Sequence, residues 1–155
     1  MKKISVIIFF CFSLLGYSQE KLNIQEIFNR AYQQHKSRDY VNAIKNYTIV
    51  IENIQQKEIR KQLFIKRGLA KNSIKKYSSA IIDFTEAIKI DSTDMASFVD
   101  RGLSYYYNRN LQKSETDFLF VVNKNTNRRM SENSLYWLTK IQFLKHDFKK
   151  AISYS

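Results

Sequence analysis

The feature that most limits what this chain can fold into is a repeat of itself. Arg67-Gly68-Leu69 returns as Arg101-Gly102-Leu103, Ala80 as Ser114, Asp83-Phe84 as Asp117-Phe118 and Ala87 as Val121, each 34 residues later. A fixed period of this size means stacked supersecondary units, each unable to bury its apolar face without a neighbour. The period continues in both directions with small insertions. Ala31, Tyr40, Ala43 and Tyr47 precede Gly68, Tyr77, Ala80 and Phe84 by 37 residues, and Leu111 and Ser114 precede Phe148 and Ala151 by 37. Four units, at about 24–60, 61–94, 95–128 and 132–155, therefore cover nearly everything after residue 20.

Apolar spacing inside each unit is helical. Ile24, Ile27, Phe28, Ala31 and Tyr32 predict a helix over Leu22–Lys36. Ser37-Arg38-Asp39 reads as a turn with Asp39 as N-cap, followed by a partner helix over Tyr40–Gln55. Gln56–Arg60 holds the three-residue insertion. It lacks breakers, so the second helix is expected to run on through it. Further helices are expected over Lys61–Ser73, Tyr77–Ile90, Met95–Tyr107, Leu111–Val122 and Ser131–Lys145. Asp91-Ser92-Thr93-Asp94 is the clearest stop-and-cap signal, Asn110 is a candidate cap, and Asn123–Arg129 reads as a loop. After a turn at His146-Asp147, a last helix starts at Phe148 and the sequence stops at Ser155.

The run Phe64-x-x-Arg67-Gly68-x-x-Lys71, followed by Ala80-x-x-x-Phe84 and Ala87, resembles a tetratricopeptide repeat. Arg67 and Arg101 stand where that family usually has Leu, Lys71 stands for the usual Tyr (Tyr105 restores it), and Ser92 and Thr126 replace the closing Pro. The resemblance implies an all-α, right-handed solenoid of antiparallel helix pairs, with three full units and a truncated fourth, and a binding role without naming a ligand. In that geometry Gly68 and Gly102 let the second helix of a pair approach closely, with Ala80 and Ser114 as the matching small faces and Ala31 with Ala43 doing the same in the first unit. A glycine inside a helix otherwise costs about 1 kcal/mol against Ala. Arg67 with Asp83, Arg101 with Asp117 and Arg30 with Asn46 share a separation of 16 residues, which suggests a charge-assisted helix-to-helix contact in each unit.

The amino terminus has a different logic. Met1-Lys2-Lys3 precedes an almost wholly apolar run, Ile4–Leu15, and then Gly16-Tyr17-Ser18. That is the layout of a secretory signal peptide cleaved near Ser18, since the apolar run is shorter than the roughly 20 residues a spanning helix needs. Export would place the mature chain in a periplasm or outside the cell, with no transmembrane segment. Cys11, the single cysteine, would leave with the signal, so the mature chain forms no disulfide. The full chain of 155 residues has 26 Lys+Arg against 14 Asp+Glu, a formal charge of +12. The basic residues are spread rather than blocked, which favours solubility over an anionic partner. Nucleic acid does not suit an exported protein.

Chemistry-bearing constellations are missing. His35 and His146 lie far apart in sequence, with no paired-His or Cys metal motif and no Gly-rich phosphate loop. This argues for no cofactor, no metal and no catalytic residues. Two surfaces are left that could bind. By resemblance, the groove lined by the first helices would present Phe28, Tyr32, Ile65, Leu69, Val99, Leu103, Tyr106, Tyr136, Lys140 and Phe143 to a peptide or protein segment, though neighbouring units would bury about half of such residues. The ridge of turns inside the units would present Arg38, Lys75, Lys76, Arg109, Lys145 and His146, where the family often has Gly. That row could meet an anionic envelope surface, or it is a solvated edge. The truncated last unit could also support self-association.

Overall fold

The computed structural model describes residues 23–124 and 127–154. The expected signal segment, its cleavage site, and Asn125 and Thr126 of the expected loop lie outside the described residues. Among the described residues the chain is wholly helical: α1 (Ile24–Lys36), α2 (Tyr40–Asn53), α3 (Lys57–Ser73), α4 (Tyr77–Ile90), α5 (Met95–Tyr107), α6 (Leu111–Lys124), α7 (Arg128–Leu144) and α8 (Phe148–Ile152). Each helix packs on the next in order, and α3 with α5 and α5 with α7 also touch. The architecture is thus a stack of hairpins, the expected helical solenoid.

Local signals explain most starts. The side chains of Asn23, Asp39, Asn110, Asn127 and Asp147 each accept the backbone N–H three residues on, at 3.1–3.4 Å. The expectation that α2 runs through the insertion fails. The chain turns extended at Ile54 (φ −113°, ψ 133°), and residues from Lys57 onward open α3 instead. The cause is a distant cap: the Arg60 guanidinium donates to the carbonyls of Ile51 and Ile54 at 2.8 and 3.1 Å, satisfying the end of α2 from the start of α3. The fourth unit also starts earlier than expected, because Asn127 caps α7 ahead of Arg128.

The four hairpin turns share one backbone device. Arg38 (φ 65°), Lys75 (61°), Arg109 (63°) and His146 (59°) are left-handed. Each is followed by a residue whose N–H reaches back five positions: Asp39 to Gln34, Lys76 to Lys71, Asn110 to Tyr105 and Asp147 to Gln142, at 2.8–2.9 Å. These are Schellman closures, which satisfy orphan carbonyls and usually carry Gly at the left-handed place. Here the place carries three basic side chains and a histidine. A cation beside a helix carboxyl end is favoured by the macrodipole, which offsets part of the left-handed cost for a non-glycine residue.

The two glycines hold the stack tight from below. A Cβ placed on Gly68 would lie 2.9 Å from Cε1 and Cζ of Phe84, and one on Gly102 would lie 3.0 Å from Cε1 of Phe118. The crossing is therefore filled by the fully buried rings of the partner helix, rather than by Ala80 or Ser114 facing glycine directly. Ser114 contributes a buried hydrogen bond, its hydroxyl donating to the Gly102 carbonyl at 2.8 Å.

Two of the three expected polar pairs form. The Arg67 guanidinium donates to both oxygens of Asp83 (2.7–3.3 Å) and to Thr48 of the preceding unit, and Lys71 joins the same carboxylate at 2.8 Å. Arg101 grips Asp117 with two bonds of 2.8 Å. Burial outweighs that grip and holds the Asp117 carboxyl above its ordinary range, while Asp117 raises the Arg101 guanidinium. The third pair is absent: Arg30 is exposed and bonds Glu26 one turn back at 3.3 Å, and Asn46 donates to Gln34 at 2.7 Å. An uncharged amide offers Arg30 too little to leave water.

The last unit is closed electrostatically. Glu115 of α6 accepts from Gln142 (2.8 Å), Lys145 and Lys150 (2.6 Å), tying α7 and α8 back to the third unit. Ala151 is buried, while Phe148 and Ile152 of the five-residue α8 remain exposed.

Candidate functional site

The first helices α1, α3, α5 and α7 carry the ten residues expected to form one groove, and the structure divides them. Tyr32 and Leu69 line a cavity of about 280 Å³ between α1 and α3, shared with His35, Lys36, Tyr47 and Lys66. This end is basic. Lys66 lies over the Tyr32 ring at 5.3 Å. Burial, then Lys66, lowers the His35 pKa, so that imidazole favours its neutral form. Phe28 and Ile65 are half-buried against the core that contains Ala31, Tyr47 and Leu63. Between α3 and α5 the wall is joined by the Asn72 amide donating to Ser104 at 2.9 Å.

At the other end, Val99 lines a cavity of about 390 Å³ between α5 and α7, with Ala96, Asp100, Asn127, Arg129, Met130 and Asn133. Leu103 and Tyr106 pack on the core around Phe118, Leu138 and Ile141. Tyr106 also meets Trp137 edge-on at 5.0 Å, and Tyr107 and Tyr136 close on the same indole at 6.1 and 5.5 Å. Lys140 rests on this ledge, its ammonium 4.8 Å from the Tyr136 centroid and 5.2 Å from that of Trp137. Phe143 lies further along, against Phe148 at 5.6 Å. Tyr32 (47%), Leu69 (37%), Tyr136 (54%) and Phe143 (55%) are the apolar members that face water. The ridge residues Arg38, Lys75, Lys76, Arg109, Lys145 and His146 are all exposed at the hairpin turns, on elements of the structure separate from these cavities.

Asp100 is the residue that sequence reasoning missed. It follows Val99 on α5 and is half-buried, and no donor among the described residues reaches its carboxylate. Burial first, and Asp94 one turn and a half away second, push its pKa up to about 6. The folded chain therefore keeps this proton between about pH 4 and 6, where the unfolded chain has lost it. Stability must fall as pH rises through that window. Asp100→Asn is expected to stabilise the protein by about 1–2 kcal/mol at pH 7 and to add nothing below about pH 4. Urea unfolding at the two pH values checks this, and a gain of equal size at both would refute it.

No protein-family model matches the sequence, and no curated protein matches it. Solved structures do. The second TPR domain of human RPAP3, solved in complex with the HSP70 peptide SGPTIEEVD, is 26% identical over 75% of this chain and 92% of its own length, with a TM-score of 0.65. The first TPR of Spaghetti (RPAP3), bound to the HSP90 peptide SRMEEVD, is 18% identical over 79% of this chain and 93% of its own, with a TM-score of 0.67. MamA from Desulfovibrio magneticus RS-1 is 17% identical over 87% and 73%, with a TM-score of 0.76. Hairpin stacking, the repeated glycine crossings and these likenesses agree: the chain has the helical-solenoid fold of tetratricopeptide-repeat proteins.

Proposed function

We propose that the chain is a non-catalytic interaction scaffold that holds a peptide or protein segment in the groove of α1, α3, α5 and α7. The observation that carries this reading is the set of water-facing apolar side chains on first helices, Tyr32 and Leu69 on the wall of the cavity between α1 and α3, and Tyr136 and Phe143 on α7. Two of the similar structures hold a peptide, which supports the same use of the fold. Tyr136 is the cleaner test residue, because Tyr106 also packs on the core. Tyr136→Ala is expected to cost more than about 1 kcal/mol of partner binding and to leave the melting temperature nearly unchanged. Replacing Arg38, Lys75 and Arg109 together by Gln is expected to leave that binding intact at physiological salt. Loss with the triple variant and not with Tyr136→Ala would move the function to the turn ridge.

The chain is further proposed to act after export, in a periplasm or outside the cell. This rests on Lys2, Lys3, the apolar run and the small residues Gly16 and Ser18. No helix among the described residues is long and apolar enough to cross a membrane. Mass analysis of the native protein should find a mature chain starting at Gln19; an intact Met1 start would end the proposal.

A further inference from the structure

We propose that the part of the groove between α5 and α7 recognises a lysine or arginine side chain of the bound segment, with Asp100 as its counter-charge. This rests on the groove reading above and adds the chemistry of the occupant.

Three observations meet here. First, Asp100 lines an open space of about 390 Å³ between α5 and α7, and its carboxylate has no donor among the described residues. The other buried carboxylates among the described residues are all held by cations, Asp83 and Asp117 each by an arginine and Glu115 by two lysines. A half-buried carboxylate without such a partner gains from any cation that enters. Second, the cation that could close the site from within does not. Arg129 lines the same space from α7, yet it is exposed and forms no ion pair with Asp100. On the rim it keeps its water, whereas Asp100 on the wall has lost much of its own. Third, Asp100, Leu103 and Tyr107 recur at helical spacing along α5, which leads from the carboxylate to the ledge of Tyr106, Tyr107, Tyr136 and Trp137. That ledge already holds one ammonium, from Lys140. Carboxylate and aromatic faces are the two surfaces that favour a basic side chain with an aliphatic stem.

The peptides in the similar structures end in Glu-Glu-Val-Asp. Such a sequence brought to this wall would set carboxylates beside Asp100, where like charge is repelled. The position before Asp100 in the period is Lys66, so an acidic stretch is better placed at the basic end between α1 and α3.

The test is selection of a random 12-residue peptide display library on the protein, followed by titration of the most enriched synthetic peptide. The expected result is a fixed Lys or Arg in the selected sequences. Affinity should fall at least tenfold with Asp100→Asn, and equally when that peptide residue is made norleucine or citrulline, with no further fall when both changes are combined. Asp100→Asn keeps the side-chain shape, and its melting curve controls for folding. Binders that lack a basic residue, ignore Asp100→Asn and are lost with Tyr136→Ala would overturn this inference and keep the groove. Acidic binders lost with Arg129→Gln would overturn it in favour of an anionic occupant. No binders, or binders indifferent to both Asp100→Asn and Tyr136→Ala, would overturn the groove reading as well.

Discussion

Asp83→Leu is expected to destabilise the protein by about 3–5 kcal/mol, the range seen when one partner of a buried ion pair is removed. Asp83 is fully buried and its carboxylate holds two cations at once, Arg67 and Lys71, themselves only 14% and 15% exposed. Leucine matches the volume and leaves both cations facing an apolar wall. The third unit offers the contrast, since Asp117 there carries one paired cation, Arg101. Arg101→Met with Asp117→Leu removes both members, so the double variant should lie closer to wild type than either single one. Arg67→Met with Asp83→Leu still strands Lys71 and should remain strongly destabilised. Urea midpoints at constant slope decide it. A loss below about 1 kcal/mol for Asp83→Leu would mean that Arg67 and Lys71 reach water freely.

Gly68→Ala is expected to destabilise by about 1–3 kcal/mol, although alanine is the better helix former by about 1 kcal/mol. No glycine among the described residues has a positive φ, so helix propensity alone predicts a gain. Space decides the sign. The new methyl group would sit 2.9 Å from two ring atoms of Phe84, and that ring is completely enclosed. An aromatic ring cannot swing aside as a lysine tip can, so the helices must part. Gly102→Ala should cost less, because Phe118 stands slightly further off at 3.0–3.3 Å. Phe84→Leu in the Gly68→Ala background should recover part of the loss. A stabilised Gly68→Ala protein would refute the close-crossing account.

Much of this was legible before any coordinates. The 34-residue offset located α4 and α5 to the residue, because Tyr77 and Met95 each begin an apolar stripe and Asp91–Asp94 stops the chain between them. The 16-residue spacing found Arg67–Asp83 and Arg101–Asp117, since it repeats between helices whose register is fixed by glycine. Other features depend on contacts that spacing does not encode. The break at Ile54 has no glycine or proline to announce it and exists because Arg60 folds back onto the end of α2. Arg30 shares the spacing but not the charge at its partner, and Glu26 is nearer. The ten expected groove positions lie on the first helices, yet which of them face water depends on how each unit packs on the next. Asp100 carried a signal that was overlooked: one period back stands Lys66, also charged and also on a cavity wall.

The four left-handed turns also make the stack measurable. Their side chains leave the backbone at nearly the same φ, from hairpins of matching closure, and all four point into solvent. Thiols placed at 38, 75, 109 and 146 would therefore carry fluorophores in matched orientation along one edge. The chain's single cysteine, Cys11, stands outside these units and can be removed. A donor and acceptor on adjacent turns would report the opening of one interface, and a pair on the outermost turns would report bending of the whole stack.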